Sequence, residues 1–338
     1  MRFRLPNSLR KFLTPIYRLS LEMIDSCLVT KPCTCQQTVA LVRLDAIGDF
    51  VLWLDSARHY RTAFPEHHLT LIANSLWADL AQHLPYWDEV LAIDVRRLVR
   101  HPWYRWHSLS TIRSMGFEIA IQPTYSRVYL QGDSVIRATR ASQRIGSSGN
   151  FSNITPTEKA LADSWYTQLI PATDTTMHEL ERNAEFISGL IRQEVKASIP
   201  SIPRLTKHRQ HIPGTGYFIV FPGASWNGRQ WPLTHFAHTI RQVVKQYGLR
   251  PVLCGSAAEQ DLCGALVNQL DCTCDNMAGR TSLAELVELI RAAHLLISNE
   301  TSAIHIAAAV GTPSICILGG GHYGRFMPYN VVGAVWDE

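Results

Sequence analysis

A chain of 338 residues, 46% hydrophobic and 18% charged, is long enough for two separately cored domains and too conventional in composition for a fibrous or disordered protein. Its formal net charge of +4 resides entirely in residues 1–36, where Arg2, Arg4, Arg10, Lys11, Arg18 and Lys31 outnumber Glu22 and Asp25. The remainder is formally neutral, which excludes a basic body of the kind that binds nucleic acid.

The leader is interrupted by Pro6 and Pro15 and holds no continuous apolar segment, so it is not a secretion signal. Leu9, Phe12, Leu13 and Ile16 recur at helical spacing beside Arg10 and Lys11. Two readings stay open: a basic amphipathic segment resting on an anionic inner-membrane surface, or a leader packed on the body. Without an export signal the eight cysteines are expected to be cytoplasmic thiols. "CTC" at 33–35 and 272–274 has the wrong spacing for a zinc site, so no metal is predicted.

"TVALVRL" (38–44) is the first predicted strand, and a helical pattern follows over 49–64. "LTLIAN" (69–74), "EVLAID" (89–94) and "FEIAIQP" (117–123) are further strands separated by helical stretches. The Pro- and Gly-rich segment 200–216 reads as a linker. Alternation then resumes with "YFIVFPG" (217–223) and a helix with Phe236, Ile240, Val243, Val244 and Tyr247 on one face, capped by Thr234 and closed by Gly248. "PVLCGS" (251–256), a helix over 283–293 and "HLLIS" (294–298) complete the pattern. Strands alternating with helices predict two doubly wound α/β domains, 38–205 and 206–338, behind a leader of residues 1–37. Such sheets bind ligands beyond the carboxyl ends of their strands, so two facing domains make a cleft.

No Asp, Glu, Lys or Arg occurs from Thr301 to Gly324. "GTP" (311–313) cuts this run, which excludes a membrane span and predicts a buried strand–helix–strand unit instead. Thr301 and Ser302 suit the start of the helix, and Ala303, Ala307, Ala308 and Ala309 let it approach the sheet. Free backbone N–H groups there suit a phosphate, with Glu300 placed for a sugar hydroxyl and His305 one turn inside. The alternative is that Thr301 only caps the helix and His305 is a hydrogen-bonded core residue. "GGGHYG" (319–324) matches a dinucleotide fingerprint in letters alone, because Pro328 follows where a helix should start. It is expected to be a flexible turn at the cleft.

"VRLDAIGDF", "FPGASWNGRQWPLTHFAHTI" and "ISNETSAIHIAAAVGTPSICILG" each follow a predicted strand. Together they resemble glycosyltransferase family 9, the heptosyltransferases of lipopolysaccharide core assembly, over about residues 38–326. The resemblance implies a GT-B fold, two Rossmann-like domains with the acceptor on the amino-terminal side and a nucleotide sugar, commonly ADP-heptose, on the other. It implies metal-independent transfer with inversion, no cofactor beyond the co-substrate, a glycolipid or glycan acceptor, and a cytoplasmic location with peripheral contact at the inner membrane. Asp49 matches the family's catalytic aspartate: a sugar hydroxyl is a poor nucleophile, and a carboxylate must take its proton. Gly48 before it lets the chain turn on the acceptor side. Arg229 stands where relatives carry a phosphate-binding lysine, Ser225 matches a hydroxyl that contacts phosphate, and Glu259 matches a donor-side acid.

Two departures stand out. Glu300-Thr301-Ser302 replaces the usual Asp-Thr-Gly, which shifts the donor pose, and the sequence ends at Glu338 where relatives continue into a helix that returns to the first domain. They keep alternatives open: a non-catalytic nucleotide-sugar-binding protein, or a sugar-nucleotide epimerase. A nicotinamide dehydrogenase is disfavoured, since no glycine-rich fingerprint follows strand one.

Overall fold

The computed structural model describes residues 7–28, 35–205, 216–331 and 334. Most of the predicted linker, Arg2, Arg4, Lys31 and Cys33 lie outside them. The amino-terminal half runs α1 (Asn7–Ser26), β1 (Thr38–Arg43), α2 (Ile47–Ala63), β2 (His68–Asn74), α3 (Ala78–Ala81), β3 (Glu89–Ile93), α4 (Val95–Arg100), α5 (Pro102–Met115), β4 (Ile119–Gln122), α6 (Ser134–Thr139), β5 (Gln143–Ser147), α7 (Pro156–Asp163), β6 (Gln168–Ile170) and α8 (Glu179–Ile191). Its six strands are all parallel, in the order β3-β2-β1-β4-β5-β6. β1 is central because Val39 to Arg43 are buried on both faces, and the reversal of strand order beside it opens a crevice at its carboxyl end.

The second half runs β7 (Tyr217–Phe221), α9 (Leu233–Tyr247), β8 (Arg250–Leu253), α10 (Gln260–Val267), β9 (Asp275–Asn276), α11 (Leu283–Arg291), β10 (Leu296–Asn299), α12 (Ser302–Val310) and β11 (Ser314–Ile317). Its parallel sheet has the order β11-β10-β7-β8-β9. The α/β class with two parallel sheets is thus as predicted. The predicted strand–helix–strand unit is β10–α12–β11, with Gly311 in the left-handed region at φ 77° closing the helix. β10 and α12 are buried, but β11 is the edge strand of its sheet and leaves Ser314 and Ile315 exposed, so the unit is not buried throughout.

Three further expectations need correction. α9 starts at Leu233 behind Pro232 with no side-chain cap, so Thr234 lies inside the helix rather than capping it. β5 and β6 were not predicted: "QRIGS" and "QLI" are too short to carry a period, and the neighbouring strand recruits them. The glycine-rich segment 319–324 does more than turn, because the residues after it bond across the cleft, as described below.

The leader forms a helix that packs on the body. Asp25 and Arg105 make a bidentate ion pair with both bonds at 2.6 Å, and both side chains are buried. Tyr17 donates to the carbonyl of Val99 at 3.1 Å. Leu21 is buried among Tyr129, Leu130 and Ile154.

α2 ties the halves together. A surface helix shows one apolar stripe, but Phe50, Val51, Leu52, Trp53 and Leu54 are all buried. Phe50 stacks on Trp77 with ring centroids 3.9 Å apart, and Trp53 stacks on Trp87 at 6.0 Å, which fixes α2 to the β2–β3 side. Elsewhere α2 meets α8 and, from the other half, α12. One apolar cluster therefore runs from Val39 and Leu41 through α2 to Ile304, Ala307 and Ile219. The chain returns to that seam after α8: Ser198 donates its N–H and hydroxyl to Asp55 at 2.8 and 2.7 Å, and Ile202 N–H bonds to Ala309 at 3.0 Å.

Candidate active site

The turn from β1 into α2 forms the amino-terminal wall of a cleft of about 580 Å³ between the halves. Ala46, Ile47, Gly48 and Asp49 line it. Gly48 is needed for close approach: a Cβ there would sit 3.1 Å from His305 Cδ2 and 3.8 Å from Ser302 Cα on the facing helix. Asp49 is in the first turn of α2, and buried Arg43 donates to its backbone carbonyl at 3.3 Å. Burial, and then the Glu179 carboxylate, push the Asp49 carboxyl above the ordinary carboxylate range, while Arg43 and Arg325 pull it the other way. Its neighbour Asp45 is ion-paired with Arg43 at 2.7 Å, and burial raises its carboxyl too. A carboxylate made more basic in this way is better matched to taking a proton near neutrality.

The opposite wall comes from the carboxyl ends of β7, β8 and β10. Ser225, Arg229, Glu259, Glu300, Thr301, Ser302 and His305 all line the cleft. Asn299 holds this wall together: its amide donates to the carbonyls of Pro222 and Gly223 at 2.8 and 3.2 Å and accepts from Trp231 N–H at 3.0 Å. Arg229 is clamped by Glu300 at 3.0 Å, with His322 at 3.4 Å, and is no ordinary solvated cation. Thr301 Oγ1 accepts from Ala303 N–H at 3.3 Å and lies 3.0 Å from Ser298 Oγ. Glu259 spends one oxygen on Ser256, accepting from its N–H at 2.7 Å and its hydroxyl at 2.8 Å. That oxygen supports the loop, and the acid still borders the cleft.

His305 is a buried imidazole whose Nδ1 meets the Tyr329 hydroxyl at 2.7 Å. Burial pushes its pKa down to about 3, so it is neutral and offers a phosphate no charge. This favours the core-histidine reading, with its ring edge against Gly48.

Residues missed by sequence reasoning arrive on the segment after β11. Gly320 and Gly324 have φ of 75° and 78°, and the chain then reaches α8. There Glu179 N–H donates to the carbonyl of Arg325 at 2.8 Å, the Arg325 guanidinium meets the Glu179 carboxylate at 3.4 Å, and His178 Nε2 meets the carbonyl of Phe326 at 2.9 Å. His322 and Phe326 line the cleft. Glu179 and Arg325 are 146 positions apart, and no local pattern announces such a pair. Among the described residues no group of three or more His, Cys, Asp or Glu is placed to hold a metal ion, and the cysteines are free.

The profile of glycosyltransferase family 9 (heptosyltransferase) matches residues 135–335. The chain belongs to glycosyltransferase family 9. A stretch of 103 residues is 33% identical to lipopolysaccharide heptosyltransferase 2 of Salmonella typhimurium, covering 29% of each chain. The match thus spans under a third of that relative's length. Among solved structures, the family 9 glycosyl transferase of Veillonella parvula superposes with a TM-score of 0.67 at 18% identity, over 83% of this chain and 80% of that one. E. coli heptosyltransferase WaaC with ADP-2-deoxy-2-fluoro heptose gives 0.65 at 17% identity, over 86% and 90%. At these identities the likeness establishes the fold, the GT-B arrangement of family 9.

Proposed function

We propose that the protein transfers a heptose from ADP-heptose to a hydroxyl of a lipopolysaccharide-type glycolipid or glycan acceptor, with inversion at the anomeric carbon and without a metal ion. The observation that carries this reading is the meeting of Asp49 with Arg229, Thr301 and Ser302 on opposite walls of one cleft. Asp49 takes the acceptor proton as the hydroxyl oxygen attacks the anomeric carbon. The bond to the diphosphate breaks on the opposite side, and charge grows on the leaving oxygen. Arg229, the hydroxyls of Ser225 and Thr301, and the positive amino end of α12 stabilise that charge. Arg229 has five N–H donors, so it can hold Glu300 and a phosphate oxygen together. The acceptor side is proposed to work at the cytoplasmic face of the inner membrane. No helix among the described residues is long and apolar enough to cross a bilayer.

The test is turnover of ADP-heptose, and of a panel of other nucleotide sugars, by wild type and Asp49→Asn. The expected result is loss of transfer by a factor of about 10²–10⁴ with donor binding retained. The environment disfavours the Asp49 charge, so Asn should raise Tm at neutral pH, and the gain should fade as pH falls and Asp49 protonates in both states. Unchanged turnover would remove Asp49 from the mechanism. Donor binding without transfer to any acceptor would favour a non-catalytic binder, and conversion of the donor alone would favour an epimerase.

A further inference from the structure

The segment 95–117, "VRRLVRHPWYRWHSLSTIRSMGF", contains no acid. α4 and the start of α5 fold it so that three of its five arginines and both tryptophans face outward, while Arg105 and Arg113 are buried. Arg96, Arg97, Arg100, His101 and His107 are exposed. Trp103 is 75% and Trp106 37% exposed, and their rings stack with centroids 5.2 Å apart. Most large aromatic residues of a folded chain are buried, and an exposed stacked pair marks an interaction surface. The pair is held in place from below: Arg105 between them is buried on Asp25, and the Arg97 guanidinium lies over the Tyr104 ring at 4.4 Å.

The position of this face matters as much as its composition. The Tyr104 hydroxyl accepts from Asp94 N–H at 2.9 Å, which pins the start of α5 to the carboxyl end of β3. β1, β2 and β3 are parallel, so this is the sheet edge from which Ala46 to Asp49 and Leu76 line the cleft. α1, tied on through Tyr17 and Val99, lies alongside.

We propose that the Arg/Trp face of α4 and α5 docks the protein on an anionic phospholipid bilayer, beside the mouth through which a membrane-held acceptor enters. The purpose assigned to this docking rests on the proposed transferase reading. Arginines attract the anionic surface, and tryptophans are at home at the depth of the headgroups. Cations around an exposed, stacked tryptophan pair complement the headgroup region of an anionic bilayer. Docking here would place the contact on the folded body, where the sequence pointed to the leader.

The test is flotation of the full-length protein with vesicles of phosphatidylethanolamine and phosphatidylglycerol, compared with phosphatidylcholine alone. The expected result is binding to the anionic vesicles only, with quenching of tryptophan emission by brominated lipid. The variant Arg96→Gln/Arg97→Gln/Arg100→Gln should bind on the order of a hundredfold more weakly. Trp103→Ser/Trp106→Ser should lose roughly tenfold, with the lipid quenching lost as well and thermal unfolding unchanged. Equal binding of both variants and wild type overturns the proposal, as does complete loss of binding in Arg10→Gln/Lys11→Gln alone. Capture by a soluble anionic polysaccharide with no vesicle binding also overturns it. Vesicle binding needs no turnover: if it persists while every nucleotide sugar fails, the docking surface stands and the transferase reading falls.

Discussion

Gly48→Ala is the smallest change that probes how the two halves meet. The added Cβ would stand 3.1 Å from His305 Cδ2, where unstrained carbon contacts need about 3.5–4.0 Å. About half an ångström must therefore be found. The ring cannot easily supply it, since Nδ1 is bonded to Tyr329 at 2.7 Å and the two rings stack. The expected cost is overpacking of about 1–3 kcal/mol, a fall in Tm of roughly 1–4 °C for a chain of this size. Catalysis should suffer separately. A shift of about 1 Å costs about 100-fold in rate, so half of that costs about tenfold. The assay is a double-mutant cycle with His305→Ala, read by thermal unfolding and by kcat. Removing the ring makes room, so the double variant should recover most of the Gly48→Ala loss, a coupling of about 1 kcal/mol or more. Additive effects would mean that α2 and α12 do not bear on each other here, and the reasoning would fail.

Other outcomes follow from the same geometry. The acid limb of kcat/KM should lie above the ordinary carboxylate range, since Asp49 must be ionised to act and its pKa is raised. Glu179→Gln should move that limb to lower pH and Arg325→Gln to higher pH; a limb that stays put in both would show that neither side chain sets the base. Arg229→Ala should weaken donor binding about 10- to 100-fold, with Arg229→Lys in between, as isothermal titration with ADP would measure. Asp25→Ala leaves Arg105 buried without its carboxylate and should cost about 3–5 kcal/mol, with early proteolysis within α1 as the readout.

The architecture was legible where burial imposes a period or a run. β1, β7 and β10 announced themselves because both faces of each strand are covered, whereas β11, at the sheet edge, is legible only as an apolar run after a turn. The nine site residues, some proposed from the helix start at 300–305 and the others from the family resemblance, all line one cleft. What was missed depends on distance along the chain. β6 exists because β5 is there to pair with it. Asp49 owes its basicity to burial first and then to Glu179, and Glu179 is paired with Arg325, which arrives from the other half. Glu259 illustrates the converse: its sequence position suggested ligand contact, while one of its oxygens proved to be occupied by its own loop.

The apolar seam that runs unbroken from β1 through α2 into α12 sets a limit on motion. A hinge that parted α2 from α12 would uncover the apolar surface at that contact, at about 2.5 kcal/mol for every ~100 Å² exposed. The cost grows with the width of the opening. Arg229, Glu300 and His322 all stand on the cleft wall, so they can exchange partners while the two lobes stay in contact.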